Sequence, residues 1–420
     1  MATDLKVQFF SHLNGINLGN NWGDLIRMLD TCLVNGLPFS SVTAANIDAN
    51  GDINLTFIAA HNAVLFQIVE LTGFAPSNIN GKYRIKGLPT STQMILKAEL
   101  SGQSITTNGS AKLAALGYDI VFRDANDVKR VYRAKNPSSV HPFIRVDESI
   151  SDGTNSYNSS YAKSAMVGLI ENMSHIDDFL DTTKLQLPLD TSDLSKNWKI
   201  SGTGTTVVRG WSNWYWATGQ VAYFDTSATA TPANGNRRFT IVGSNDGFFF
   251  NRAPIPDHNH KVLSGVGIHS SALDNSVIPN WFLMTNLKTT NAGSNISFSG
   301  EGGSPLGYNI TIASFFSNKF SPTNKMVNSI AMRPIMPTYN SGNNTLFSGS
   351  DIAALEIPFY DADSKLRGNL PHVCYMGKDI NTLPSLPTPI IGEKSMYIAD
   401  YLDLQGYLGG LYFYLGELEV

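Results

Sequence analysis

The chain has 420 residues, of which only 15% are charged, against about 25% in an average soluble protein. Thirty basic and 34 acidic residues give a net charge of −4 with no block of one sign, so there is no electrostatic footprint for nucleic acid or an anionic membrane. The 42% hydrophobic content, with 22 Phe, 16 Tyr and 6 Trp, excludes disorder, and a polar balance of Asn, Ser, Thr and Gly favours a β-rich protein over a helix-rich enzyme.

At roughly 150 residues per domain the length suggests two or three domains. The opening residues lack a basic segment followed by a long apolar one, and no run approaches the ~20 apolar residues of a membrane span. No secretory signal and no membrane partner are expected.

Residues 1–38 read as an N-terminal arm and one amphipathic helix. Trp22, Leu25, Ile26, Leu29, Cys32 and Leu33 follow the i, i+3, i+4, i+7 pattern of a helix face. Asn20 and Asn21 are available as N-caps, Asp24 suits the positive end of the helix, and Gly36 supplies a stop. The apolar stripe Trp22, Leu25, Ile26, Leu29 and Leu33 is a candidate docking helix. Before it, Val7, Phe9 and Phe10 form an apolar arm, for which docking on another subunit and packing on its own domain are both open.

After Gly36 the apolar period becomes two. Short strands are expected at 53–57, 66–70, 83–85, 94–98, 118–122, 130–133 and 143–146, with the Asn50-Gly51 pair marking a hairpin. This pattern predicts a small β-sandwich or barrel over residues 39–148. Residues 149–161 are polar, contain glycine and lack a period, which marks a linker or loop. Residues 162–420 then read as a larger, loop-rich β domain, with strands expected at 207–209, 214–216, 221–224, 239–242, 248–250, 281–284, 310–312, 355–358 and 411–414. The fold class is mainly β.

Few residues suggest chemistry. The run Asp48-Ala49-Asn50-Gly51-Asp52 resembles the start of a calcium loop, but Ile53 and Ala59 stand where that loop needs Gly and Glu, and a hairpin turn explains the same residues. His258 and His260 would share a strand face and so could ligate a metal, yet Pro254 and Pro256 precede them, which suits a polar turn. Gly300-Glu301-Gly302-Gly303 is followed by no helix pattern that would present a phosphate site. Asp147/Glu148 and Asp361/Asp363 read as surface charges, and Cys32 and Cys374 as isolated apolar residues. No catalytic, cofactor or metal residue is assigned, and an enzyme is not expected.

The aromatic cluster Trp211, Trp214, Tyr215 and Trp216 is the most suggestive local feature. Alternation places Trp214 and Trp216 on one strand face and Tyr215 on the other. With Trp211 they form a candidate interface or glycan platform, the competing reading being a strand whose aromatics fill the core.

Several segments are similar to structural proteins of tailed-bacteriophage particles. The run Leu18-Gly19-Asn20-Asn21-Trp22-Gly23-Asp24-Leu25, continuing through Leu29-Asp30 and Cys32-Leu33-Val34-Asn35-Gly36, resembles the opening of contractile-tail and baseplate components. Ala60-His61, Leu71-Thr72-Gly73, Asn80-Gly81-Lys82-Tyr83, Leu88-Pro89-Thr90-Ser91-Thr92 and Ile144-Arg145-Val146-Asp147-Glu148 extend the likeness, and Val208-Arg209-Gly210-Trp211 and Leu366-Arg367-Gly368-Asn369-Leu370-Pro371 resemble the family more loosely.

This resemblance implies a virion structural protein of a contractile-tailed phage, made in the bacterial host cytoplasm and carried in the particle. Its expected partners are other tail or baseplate proteins and copies of itself, with no catalytic residues to carry over. A receptor- or glycan-binding tail fibre or tailspike contacting a host surface glycan, and a neck or collar component, are the alternatives.

Overall fold

The computed structural model of the chain describes residues 3–219, 225–272, 280–287, 295–297, 315–318, 329–334, 352, 354–361, 364–376, 386–404 and 407–419. The protein is mainly β, with one short helix near the N-terminus. The expected strands at 221–224 and 310–312, the Gly300–Gly303 run and Asp363 lie outside the described residues.

Three antiparallel sheets make up most of the molecule. The N-terminal sheet has seven strands in the order Leu37–Pro38, Ser110–Leu113, Ile68–Thr72, Gly81–Thr90, Gln93–Leu96, Ile53–Phe57, Val42–Ile47. Register shifts at Ile85/Gly87 and Gly87/Thr90 bend its longest strand, so that it serves both halves of the sheet. The Asn50-Gly51 hairpin forms as expected, pairing Ile47 with Ile53. Asp48 Oδ1 accepts the N–H groups of Asn50 and Asp52 across the turn, at 2.8 and 3.0 Å.

The second sheet corrects the proposed domain division. Tyr118–Arg123, Lys129–Ala134 and Phe143–Asp147, placed with the small β domain by the sequence, pair onward to Lys163–Ile170, Ser212–Ala217 and Asn286–Leu287. The polar stretch 149–161 is a loop inside one sheet, joining the adjacent strands Phe143–Asp147 and Lys163–Ile170. Polarity and glycine content mark a surface connection, but they do not say whether the flanking strands part company or pair.

The third sheet is the largest among the described residues, with twelve strands along its path and a thirteenth, Ser270–Ser271, paired to Leu366–Met376, and it curls. It begins with Gln8–Ser11 and runs through Phe239–Ser244, Gly247–Arg252, Val262–Ile268 and Trp281–Met284 to Phe315–Asn318, Ser329–Pro334 and Ala354–Asp361. Leu366–Met376, Tyr407–Glu417, Ser395–Leu404 and Thr388–Gly392 complete its path. The curl brings the two chain ends together, and the Asp4 N–H donates to the Glu417 carbonyl at 2.9 Å.

Residues 1–38 are therefore not a separate unit. The Gln8–Ser11 strand pairs with Phe239–Ser244 (Phe9 opposite Val242, Phe10 opposite Ile241). Alternation sends Phe10 into the main core, to which the helix and all three sheets contribute, and Phe9 into a second core inside the curl. Of the two fates open to the arm, it packs on its own chain.

Buried side chains fasten the arm from the other direction. Gln8 Nε2 donates to the carbonyls of Ile68 and Ala114, both at 2.8 Å, and Gln67 Nε2 donates to the Phe9 carbonyl at 2.9 Å. Arg84, on the long strand of the N-terminal sheet, is fully buried. Its guanidinium donates to Asp4 O, Val7 O at 3.0 Å, Phe66 O at 2.7 Å and Leu415 O at 3.1 Å. Burial lowers its pKa to about 10, so it stays charged at neutral pH.

Replacing Arg84 with Met keeps the volume of the side chain but strands four buried carbonyls. We expect Arg84→Met to lower stability by about 3–5 kcal/mol in chemical denaturation. Arg84→Lys should recover little of this, because an ammonium cannot reproduce the planar fork of donors.

Candidate functional site

The helix is built into the main hydrophobic core. It runs from Asp24–Leu29 and widens into a π-helical turn over Asp30–Asn35. Gly36 ends it, at φ 71°, and a Cβ there would lie 2.2 Å from the Leu113 carbonyl oxygen. The freed carbonyls of Cys32 and Leu33 accept N–H groups from Leu116 and Gly117 at 3.0 and 3.2 Å.

Leu25, Ile26, Leu29 and Leu33 are all buried in the main core of their own chain, and Trp22 packs half-buried against it. The expectation of a docking helix is thus corrected. A helix this short has little stability alone, and its apolar stripe is consumed by the sheets around it. Its polar face is also largely enclosed: Asp30 accepts from Arg130 Nε at 3.2 Å and from the Tyr132 hydroxyl at 2.7 Å.

The cap is not the one expected. Gly23 occupies the N-cap, and the capping carboxylate comes from Glu148, far along the chain. Glu148 accepts the N–H of Gly23 through Oε2 and that of Ile26 through Oε1, the latter at 2.9 Å. Both Asp147 and Glu148 are buried, contrary to the surface reading, and Asp147 pairs with Arg145 at 2.9 Å. Burial pushes the Glu148 carboxyl up to about 7, against the two N–H groups and Arg209, which favour its anion, while Asp24 opposes it.

Aromatic rings and cations close this junction. Trp216 meets Trp22 edge-on, with centroids 5.8 Å apart, and Tyr157 meets it likewise at 6.0 Å. The Arg209 guanidinium lies 4.9 Å from the Trp22 ring centre, and the Lys163 ammonium 5.3 Å. Burial lowers the Lys163 pKa to about 8.

The proposed platform of three tryptophans is not formed. Ser212–Ala217 is buried along its whole length, and Trp214 and Trp216 are fully enclosed. Trp214 donates through Nε1 to the Met284 carbonyl at 3.0 Å and meets Phe248 edge-on at 5.9 Å. Covered on both faces by neighbouring elements, the strand uses its aromatics as core. Trp211, just before the strand, is half-buried and separate.

Trp211 instead lines a pocket of about 390 Å³ together with a loop that carries Asp190, Asp193, Lys196 and Lys199. Asp190 Oδ1 accepts the N–H and hydroxyl of Ser192 at 2.9 and 2.6 Å, and its Oδ2 pairs with Lys196 at 2.5 Å. Asp193 repeats the arrangement with Ser195 and Lys199. The Lys196 ammonium lies 4.9 Å from the centre of the Trp211 ring. Sequence reading flagged the indole and missed the paired carboxylates and lysines, whose repeated Asp-x-Ser spacing was the available signal.

The other candidates are engaged in turns. His258 Nδ1 accepts the His260 N–H at 2.9 Å in the loop between Gly247–Arg252 and Val262–Ile268. Asp52 is buried against Lys86 at 2.9 Å and accepts the Ala98 N–H. Among the described residues no three His, Cys, Asp or Glu side chains converge as metal ligands.

Glu148 gives a signed pH prediction. The folded protein holds it protonated up to about pH 7, whereas the unfolded chain ionises near 4.5, so its contribution to stability falls as pH rises between these values and is flat above them. Glu148→Gln lacks this titration. In paired thermal melts, wild type should lose about 2 kcal/mol relative to the variant between pH 5 and 7.5; histidines titrate in both proteins and cancel. Separately, Trp216→Ala should cost about 3–5 kcal/mol, and Trp211→Ala, at a partly buried ring, should cost less.

No protein-family model matches the chain, and no curated protein matches it.

Proposed function

We propose that this chain is a structural protein of a contractile-tailed phage particle, acting in the tail or baseplate through its contacts with neighbouring subunits. The sequence likeness over residues 18–148 supports this reading, and one structural observation carries it further. Among the described residues the Val42–Ile47 strand stands at the free edge of the N-terminal sheet, and it contains no charged residue and no proline. Thr43, Ala44 and Asn46 are exposed, and Ile58, beside the paired strand's end, is 71% exposed.

Exposed edges of monomeric proteins are normally blunted by lysine, proline or a cover, because unpaired N–H and C=O groups recruit another chain. Here the backbone edge is left ready for a partner strand, which fits a subunit destined for an assembly. The interlocked arm suits the same role, since force on one sheet passes through buried hydrogen bonds and not through a hinge.

Mass spectrometry of purified particles tests the reading. Peptides of this chain should appear at a copy number set by tail symmetry, and their absence from clean particles would contradict the proposal. Ala44→Lys with Asn46→Lys should leave stability within about 1 kcal/mol of wild type, because both positions are exposed, while lowering incorporation into particles.

A further inference from the structure

We infer that the pocket beside Trp211 binds a neutral saccharide of one or two pyranose rings. This goes beyond the assembly role and does not depend on it. The pocket volume of about 390 Å³ lies in the lower part of the ~300–1,000 Å³ range of small-molecule sites.

The wall carrying the indole is rigid. Gly210 turns the chain at φ 50°, and a Cβ there would stand 2.3 Å from the Asn197 carbonyl oxygen. Asn197 Oδ1 accepts the N–H groups of Trp211 and Ser212 at 3.2 and 2.8 Å, and its Nδ2 donates to Val167 O at 3.0 Å. The loop opposite is held by the serine contacts of Asp190 and Asp193. Recognition groups fixed before the ligand arrives lose less entropy on binding.

The charges decide the class of ligand. Each lysine is matched by one aspartate, Lys196 with Asp190 and Lys199 with Asp193, so the lining has no net charge to select an ion. It does present acceptors and donors in alternation beside an apolar plane. A pyranose is complementary to that combination, having a C–H face for the indole and a rim of hydroxyls that both donate and accept. A nucleotide would bring phosphate charge to lysines that are already neutralised. The Lys196 ammonium now over the ring sits on a side chain 43% exposed, and its flexible stem lets it swing aside as a sugar stacks.

Saturation-transfer NMR on the full chain tests this with maltose, lactose, N,N′-diacetylchitobiose and, as a control, adenosine monophosphate. A purified bacterial capsular polysaccharide forms a second arm, separating a polymer from a free sugar; Trp211-dependent binding in either arm supports the proposal. At least one saccharide should bind saturably, and Trp211→Ala should weaken it about tenfold or more, with Trp211→Phe retaining part of the affinity. Should Trp211→Ala misfold, Asp190→Asn must weaken binding at an unchanged melting temperature. The proposal is overturned if no saccharide binds, if these variants bind as wild type does, or if only the nucleotide binds.

Discussion

One buried guanidinium holds together parts of the chain that lie more than 300 positions apart. Arg84 reaches from the N-terminal sheet to the carbonyls of Asp4 and Val7 in the arm and Leu415 in the Tyr407–Glu417 strand of the curled sheet. Without it, buried carbonyls on these segments would lose a donor, at a cost of about 1–3 kcal/mol for each left unsatisfied. Because it binds carbonyls and not a carboxylate, its geometry fixes the relative position of three backbone segments. The Gln8–Ser11 strand then divides its two phenylalanines between the two main cores, so neither core is complete without the arm.

This arrangement gives another meaning to the scarcity of charge. Arg84, Arg130, Arg145, Arg237 and Arg252 are among the largest fully buried side chains. Arg252 follows the pattern of Arg84, donating to Tyr215 O at 2.7 Å and Val262 O at 3.0 Å, and burial lowers its pKa to about 9. A share of the few cations is thus spent inside, stitching strands whose edges would otherwise be unsatisfied.

What was legible in the sequence was local. The period-two runs, the Asn50-Gly51 turn, the helix and its Gly36 stop all follow from backbone preferences that act within a few residues. Pairing between distant segments was not legible. Polar residues 149–161 look alike whether they separate two domains or join neighbouring strands, and an apolar helix stripe does not say whose core it enters. Glu148 shows the same limit: a capping carboxylate more than a hundred residues from its helix leaves no spacing signal. Trp214 and Trp216 were read correctly as strand residues, but their exposure depended on a covering layer contributed by other sheets. The Trp211 pocket escaped notice because its charged wall is a loop whose carboxylates and lysines meet only after folding.

Locking of the arm is the central physical claim, and hydrogen exchange at individual amides tests it most directly. The N–H groups of Phe9, Phe10 and Ser11 should exchange as slowly as those of Ile241 and Val242 opposite them, and they should open only with the sheet as a whole. Rapid exchange across residues 8–11, with protection kept in the 239–244 strand, would contradict the account and return the arm to the role of a free extension.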